Sequence, residues 1–219
     1  MKFKIPFSGR SHNYTIDEKN AVLQAMDNAN PLTQGKYLNE FETKFCNYIG
    51  VEDAFAVNNA TAALEIAAQF CQFKGNDELI APSHTFTASV YPFIKKGAKI
   101  IWADIDINSH VVTLETIEKC ITSKTRAILV VHLYGYMANM QEIMKLARKY
   151  NLIVIEDVAQ AIGTKINGQY SGTFGDFGIF SFHSHKNMTT LGEGGMLAVK
   201  NKQYTKIAPM LRHNGHCAF

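Results

Sequence analysis

The chain has 219 residues, enough to bury a substantial core as one large domain or two small ones, and its 47% hydrophobic and 19% charged content is that of an ordinary globular protein. Its net charge of +3 comes from 22 lysines and arginines scattered without a basic block that could track a phosphate backbone, which argues against a nucleic-acid partner. No apolar run approaches the roughly 18 residues that cross a bilayer, and the opening Met1-Lys2-Phe3-Lys4-Ile5-Pro6 lacks the apolar stretch of a signal peptide, so a cytoplasmic protein without membrane contact is expected.

Thr15 and Glu18 form a capping-box pattern ahead of Ala21, Val22 and Met26, whose spacing predicts a first helix. Leu38, Phe41, Phe45, Tyr48 and Ile49 predict a second, closed by Gly50. From Ala54 the pattern changes to short apolar runs alternating with helical stretches. These are Ala54 to Val57, a helix from Thr61, Glu78 to Ala81, a helix after Phe86, and Lys99 to Ala103. A helix after Thr113, the run Ala127 to His132, a helix from Ala138 to Tyr150 and the run Leu152 to Ile155 continue it. Such alternation predicts an α/β fold, with a mostly parallel sheet flanked by crossover helices. After Asp157 the period shortens: Asn167-Gly168 signals a tight turn, and glycines punctuate the chain before the strands Ile179 to Phe182 and Met196 to Val199. A last helix contains Ile207, Met210 and Leu211. No repeat or flexible linker divides residues 1–219, so no internal domain boundary is expected.

Cys46, Cys71, Cys120 and Cys217 are widely spaced and form no C-x-x-C pair, which predicts reduced, mostly buried thiols in place of a zinc site or disulfide framework. His183 and His185 would share a strand face but lack a third ligand, so no metal is expected.

Ligands of open α/β sheets bind beyond the carboxyl ends of the strands, which singles out polar residues there. Asn58-Asn59-Ala60-Thr61 leads into a helix whose first N–H groups could hold an anion, although by itself this segment is better read as a plain helix cap at Asn59 or Thr61. Asp157 ends an apolar strand, where a carboxylate needs a cation or hydrogen-bond donor, and Lys186 follows another strand in a glycine-bounded segment. An Asp157–Lys186 ion pair, or two unrelated surface groups, would fit the same spacing. No G-x-G-x-x-G lies between an early strand and helix, which argues against a nicotinamide-dependent dehydrogenase.

The segments Glu156-Asp157-Val158-Ala159-Gln160, Phe174-Gly175-Asp176, Phe180-Ser181-Phe182-His183-Ser184-His185-Lys186-Asn187 and Gly192-Glu193-Gly194-Gly195 occur in that order. Upstream stand Leu32-Thr33-Gln34-Gly35, Ala60-Thr61-Ala62-Ala63-Leu64, Pro82-Ser83-His84-Thr85-Phe86 and His132-Leu133-Tyr134-Gly135. Together they resemble the sugar aminotransferases of the DegT/DnrJ/EryC1/StrS family, which have the aspartate aminotransferase fold and use pyridoxal 5'-phosphate.

The resemblance implies that Lys186 is the Schiff-base lysine and that Asp157 pairs with the cofactor's pyridinium nitrogen. It implies that Ser181, Thr61 and backbone N–H groups around Ala60 and Ala62 hold the phosphate, that Gln160 lies near the phenolic oxygen, and that Phe86 covers the ring. Ala60 stands where glycine is common in the family, which would restrict the backbone at the phosphate. Glu193 and the glycines around it are expected to be structural. The implied reaction is transamination of a nucleotide-linked keto sugar by an amino-acid donor, glutamate, in amino-sugar formation for surface polysaccharide such as lipopolysaccharide O antigen, or for an antibiotic sugar. Some members carry histidine in place of the lysine and dehydrate the sugar, so lysine at 186 favours amino transfer. A homodimer with the site at its interface is also implied. Family members are considerably longer, which makes residues 1–219 the large domain of a fold type I pyridoxal-phosphate enzyme, with the small C-terminal domain missing from a truncated or partial chain. A non-catalytic remnant, or a subunit dependent on a partner, is the alternative.

Overall fold

A computed structural model of the chain describes residues 12–215, so that Cys217 and the opening segment read above lie outside the described residues. Helix α1 (Ile16–Asn28) begins at the expected capping box: Glu18 N donates to Thr15 Oγ1 and Thr15 N donates to Glu18 Oε2 at 2.7 Å. None of its residues is buried, so its apolar stripe is not part of the core. Helix α2 (Lys36–Ile49) ends at Gly50, whose φ of 76° is the left-handed conformation that a glycine adopts without strain.

The alternating region follows as β1 (Asp53–Val57), α3 (Ala60–Cys71), β2 (Glu78–Pro82), α4 (Thr87–Lys95), β3 (Lys99–Ala103), α5 (Leu114–Glu118), β4 (Thr125–Val131), α6 (Met140–Tyr150) and β5 (Ile153–Asp157). Asn167 and Gly168, both at positive φ, make the tight turn of a small hairpin, β6 (Lys165–Ile166) and β7 (Gln169–Tyr170). Strands β8 (Phe177–Ser181) and β9 (Gly195–Val199) complete the main sheet. The last expected helix is two short ones, α7 (Lys202–Thr205) and α8 (Ala208–Arg212). Pro209 lies in the first turn of α8, where its missing N–H costs nothing and where it favours starting a helix over continuing one.

The seven-stranded sheet has the order β1-β9-β8-β5-β4-β2-β3. Strands β3, β2, β4, β5 and β8 are parallel, as the crossover helices require. Strand β9 is antiparallel to both its neighbours, β8 and β1, so β1 points the same way as the parallel strands, as expected, without pairing directly with one of them. Strand β9 follows β8 through residues 182–194, which hold no helix, and so returns antiparallel to it, whereas β1 leads into helix α3 and on to β2 as a parallel strand does.

Alternation along the strands divides the core. Leu79, Leu129, Ile155, Phe177, Ile179 and Leu197 pack under α3 and α4, whereas Ile80, Ile128, Val130 and Val154 pack under α5 and α6. Helix α2 covers the other face of β8 and β9, where the Phe45 ring stands edge-on to Phe180 at 4.9 Å and to Phe182 at 5.7 Å. Because parity is kept to the strand ends, Val131, Asp157 and Ser181 all emerge on the face covered by α3 and α4.

Candidate active site

At those strand ends lies a cavity of about 340 Å³ whose wall includes Ala60, Thr61, Phe86, Asp157, Gln160, Ser181 and Lys186, all expected at the cofactor; Ala62, whose N–H was also expected at the phosphate, instead donates it to Asn59 Oδ1 and lines a separate cavity. Its size suits a small-molecule ligand.

Asp157 forms the floor and is 5% exposed. Ser89 Oγ, from the first turns of α4, donates to its Oδ2 at 2.7 Å, and Ala159 N donates to its Oδ1 at 3.0 Å. Thr85 Oγ1 in turn donates to Ser89 Oγ at 2.9 Å. A buried carboxylate so fixed is an anion with a defined direction. Among the described residues it makes no ion pair with Lys186, nor does Lys186 pair with any other carboxylate; the lysine stands half-buried in the wall. Ser89 escaped the sequence reading. It lies three residues beyond the Pro82 to Phe86 motif, and the signal that could have found it is its place in the first turn of a helix, α4, that must face the sheet.

Asn59 is the N-cap of α3: its side chain accepts from Ala62 N at 2.9 Å, so the plain helix-cap reading holds for Asn59. Ala60 and Thr61 occupy the first turn, facing the cavity. Ala60 is not among the residues of positive φ, so alanine fits there without strain, contrary to the expected backbone restriction. The glycine that matters lies across from it: a Cβ on Gly195 would stand 2.5 Å from Asn59 C and 2.6 Å from Ala60 N. The bare backbone of β9 therefore sets where the first turn of α3 sits.

Gln160 Oε1 accepts from Tyr134 N at 2.9 Å, which turns its Nε2 donor the other way. Tyr134 pays for this contact with a left-handed φ of 56°, an uncommon conformation for tyrosine. Phe86 is 74% exposed at the cavity lip, an aromatic face with no protein ring upon it among the described contacts. Glu193, expected to be purely structural, also lines the cavity, with Oε1 3.5 Å from His183 Nε2.

Other motif residues stand elsewhere. Glu156 points to the opposite sheet face from Asp157 and is fully buried. Its Oε1 accepts from Phe174 N and Gly175 N, and its Oε2 from Gly172 N and His132 Nε2, at 2.7 to 3.0 Å. Asp176 accepts from Val154 N at the far end of β5, where burial pushes its carboxyl up. Thr33 and Gln34 line a separate cavity of about 570 Å³ with Asn58 and Arg212. Among the described residues no group of three or more His, Cys, Asp or Glu side chains is placed to hold a metal ion. Cys71 is buried, but Cys46 and Cys120 are only half-buried, fewer buried thiols than expected.

The anionic floor, the half-buried lysine, the hydroxyls beside a helix N-terminus and the exposed ring fit the chemistry of pyridoxal phosphate: a ring nitrogen, a carbonyl, a phosphate and a flat face. Comparison with known proteins agrees. The chain is 42% identical over 188 residues to a GDP-perosamine synthase of Escherichia coli O157:H7, covering 86% of this chain and 51% of that one. It therefore spans about half the length of the curated relatives it matches. Among solved structures, an aminotransferase from Psychrobacter cryohalolentis matches with a TM-score of 0.85 at 36% identity, covering 92% of this chain and 51% of that one. An E. coli GDP-4-keto-6-deoxy-D-mannose-3-dehydratase with bound hydrated PLP matches with a TM-score of 0.83 at 30% identity, covering 93% and 53%. The sheet and its flanking helices are thus the fold of pyridoxal-phosphate enzymes. The profile of the DegT/DnrJ/EryC1/StrS aminotransferase family matches residues 13–218, and the chain belongs to that family.

Proposed function

We propose that this chain is the cofactor-binding large domain of a pyridoxal-phosphate-dependent aminotransferase that moves an amino group from an amino-acid donor, glutamate, to a nucleotide-linked keto sugar. The observation that carries the reading is the convergence, in one cavity, of Lys186 with a buried and hydrogen-bonded Asp157. Pyridoxal phosphate, once bound, supplies an electron-withdrawing ring that stabilises the charge left when a proton leaves the amino donor. Asp157 would hold the ring nitrogen's proton, because its two oxygens are already oriented by Ser89 and Ala159. Thr61 and Ser181 hydroxyls, with the first-turn amides at Ala60 and Thr61, would hold the phosphate. Gln160 has its Nε2 turned from Tyr134 and would donate to the phenolic oxygen, while Phe86 would cover the ring face. Lys186 would bond to the cofactor's carbonyl carbon through Nζ and carry the proton between atoms of the substrate.

Lysine at 186 and the likeness to GDP-perosamine synthase support amino transfer over the dehydration named for several structural relatives. The same reading makes the protein a subunit of a cytoplasmic homodimer serving amino-sugar formation for surface polysaccharide such as O antigen, and no helix of the described residues is long and apolar enough to cross a membrane. The test is the absorption spectrum after addition of pyridoxal phosphate, followed by borohydride reduction and peptide mapping, for the native chain and Lys186→Ala. A visible band, trapped on Lys186 and absent from the variant, is expected. Absence of both band and label from the native chain would refute the cofactor reading.

A further inference from the structure

The turn that carries Lys186 is organised around His183, each of whose polar atoms faces a partner. His183 N donates to Ser181 Oγ at 3.4 Å, and its carbonyl accepts from Lys186 N at 2.9 Å. Its ring Nδ1 accepts from His185 N at 3.2 Å. An N–H aimed at Nδ1 requires a lone pair there, which places the ring proton on Nε2. That atom faces Glu193 Oε1 at 3.5 Å. Glu193 is itself held in place by the backbone on either side: Ser184 N donates to Gly192 O and Phe182 N to Gly194 O, each at 2.8 Å, and Thr190 Oγ1 donates to the Glu193 carbonyl. Gly192 has a φ of 147°, and a Cβ on Gly194 would collide with Thr190. The segment 192–195 is thereby laced to the strand before the lysine, and the Glu193 side chain is left in the cavity wall beside His183.

We propose that His183 is a positioning residue for Lys186: its ring, turned toward Glu193 and accepting from His185 N, holds the turn whose backbone bonds run to Ser181 Oγ and Lys186 N. The role rests on the cofactor reading above. It is tested by titrating the chain with pyridoxal phosphate, following the visible band and the fraction trapped on Lys186 by borohydride, with thermal unfolding of each unloaded variant alongside. His183→Phe keeps the ring's bulk but none of its polar atoms, and Glu193→Ala removes the carboxylate. Each is expected to need about two- to fivefold more cofactor for half-attachment, the scale of one neutral hydrogen bond or one solvent-exposed ionic contact, with the unloaded fold little changed. His183→Gln, whose amide offers an acceptor for His185 N and an N–H toward Glu193, recovers most of that loss. Attachment at native cofactor concentrations in His183→Phe and Glu193→Ala would overturn the proposal alone, as would a loss that tracks a lowered melting temperature and is not rescued by glutamine. A native chain that never attaches the cofactor would overturn the cofactor reading, and this role with it.

Discussion

Replacing Glu156 by glutamine tests how the fold presents the neighbouring Asp157. The Glu156 carboxylate is fully buried and acts purely as an acceptor, receiving Phe174 N and Gly175 N on one oxygen and Gly172 N and His132 Nε2 on the other. Glutamine keeps the shape but turns one oxygen into an NH2 donor. In either flip, that NH2 meets two donors. The histidine cannot relieve the conflict by changing tautomer, because its Nδ1 accepts from Ala138 N at 3.3 Å and a proton there would oppose that bond. Two buried donors left unpaired, at about 1–3 kcal/mol each, give a destabilisation of about 2–6 kcal/mol. For a chain of this size, 1 kcal/mol moves the melting temperature by roughly 2–4 °C, so a drop of at least about 4 °C is expected. Circular dichroism melts of native and Glu156→Gln protein measure it directly. A variant melting within about 1 °C of the native chain would refute the reasoning, since it would mean the four donors find partners elsewhere.

Two further outcomes are expected. Ser89→Ala removes the 2.7 Å hydrogen bond to Asp157 Oδ2 and leaves that oxygen without its donor, so the cofactor should attach roughly tenfold more weakly; a titration as tight as the native one would show that Asp157 does not depend on α4 for its orientation. Burial pushes the Cys71 thiol up to about 12, so the folded chain keeps this proton while the unfolded chain loses it above about pH 9. The stability that Cys71 contributes is therefore full below pH 9 and declines as pH rises towards 12. Urea midpoints at pH 8 and 10 should fall more for the native chain than for Cys71→Ala, and an equal fall in both would count against this account.

Much of the protein is local, and what is local was legible. The Thr15–Glu18 box, the left-handed Gly50, the Asn167-Gly168 turn and the alternation of strands with helices all follow from preferences expressed within a few residues, and the order of the motifs pointed to the family before any contact was known. The seven expected site residues also came together, because the parity of β4, β5 and β8 carries Val131, Asp157 and Ser181 to the same side of the sheet. Other features were set only when distant segments met. Ser89 reaches Asp157 across 68 residues, Gly195 presses on Asn59 and Ala60 from the opposite end of the chain, and β9 inserts antiparallel between β8 and β1. Glu193 looked like part of a turn until the backbone lacing of its glycines left its carboxylate beside His183. Periodicity says which side chains share a face of one element; which element lies against that face, and in which direction, is decided by burying all the faces at once, and a single stretch of sequence does not contain that information.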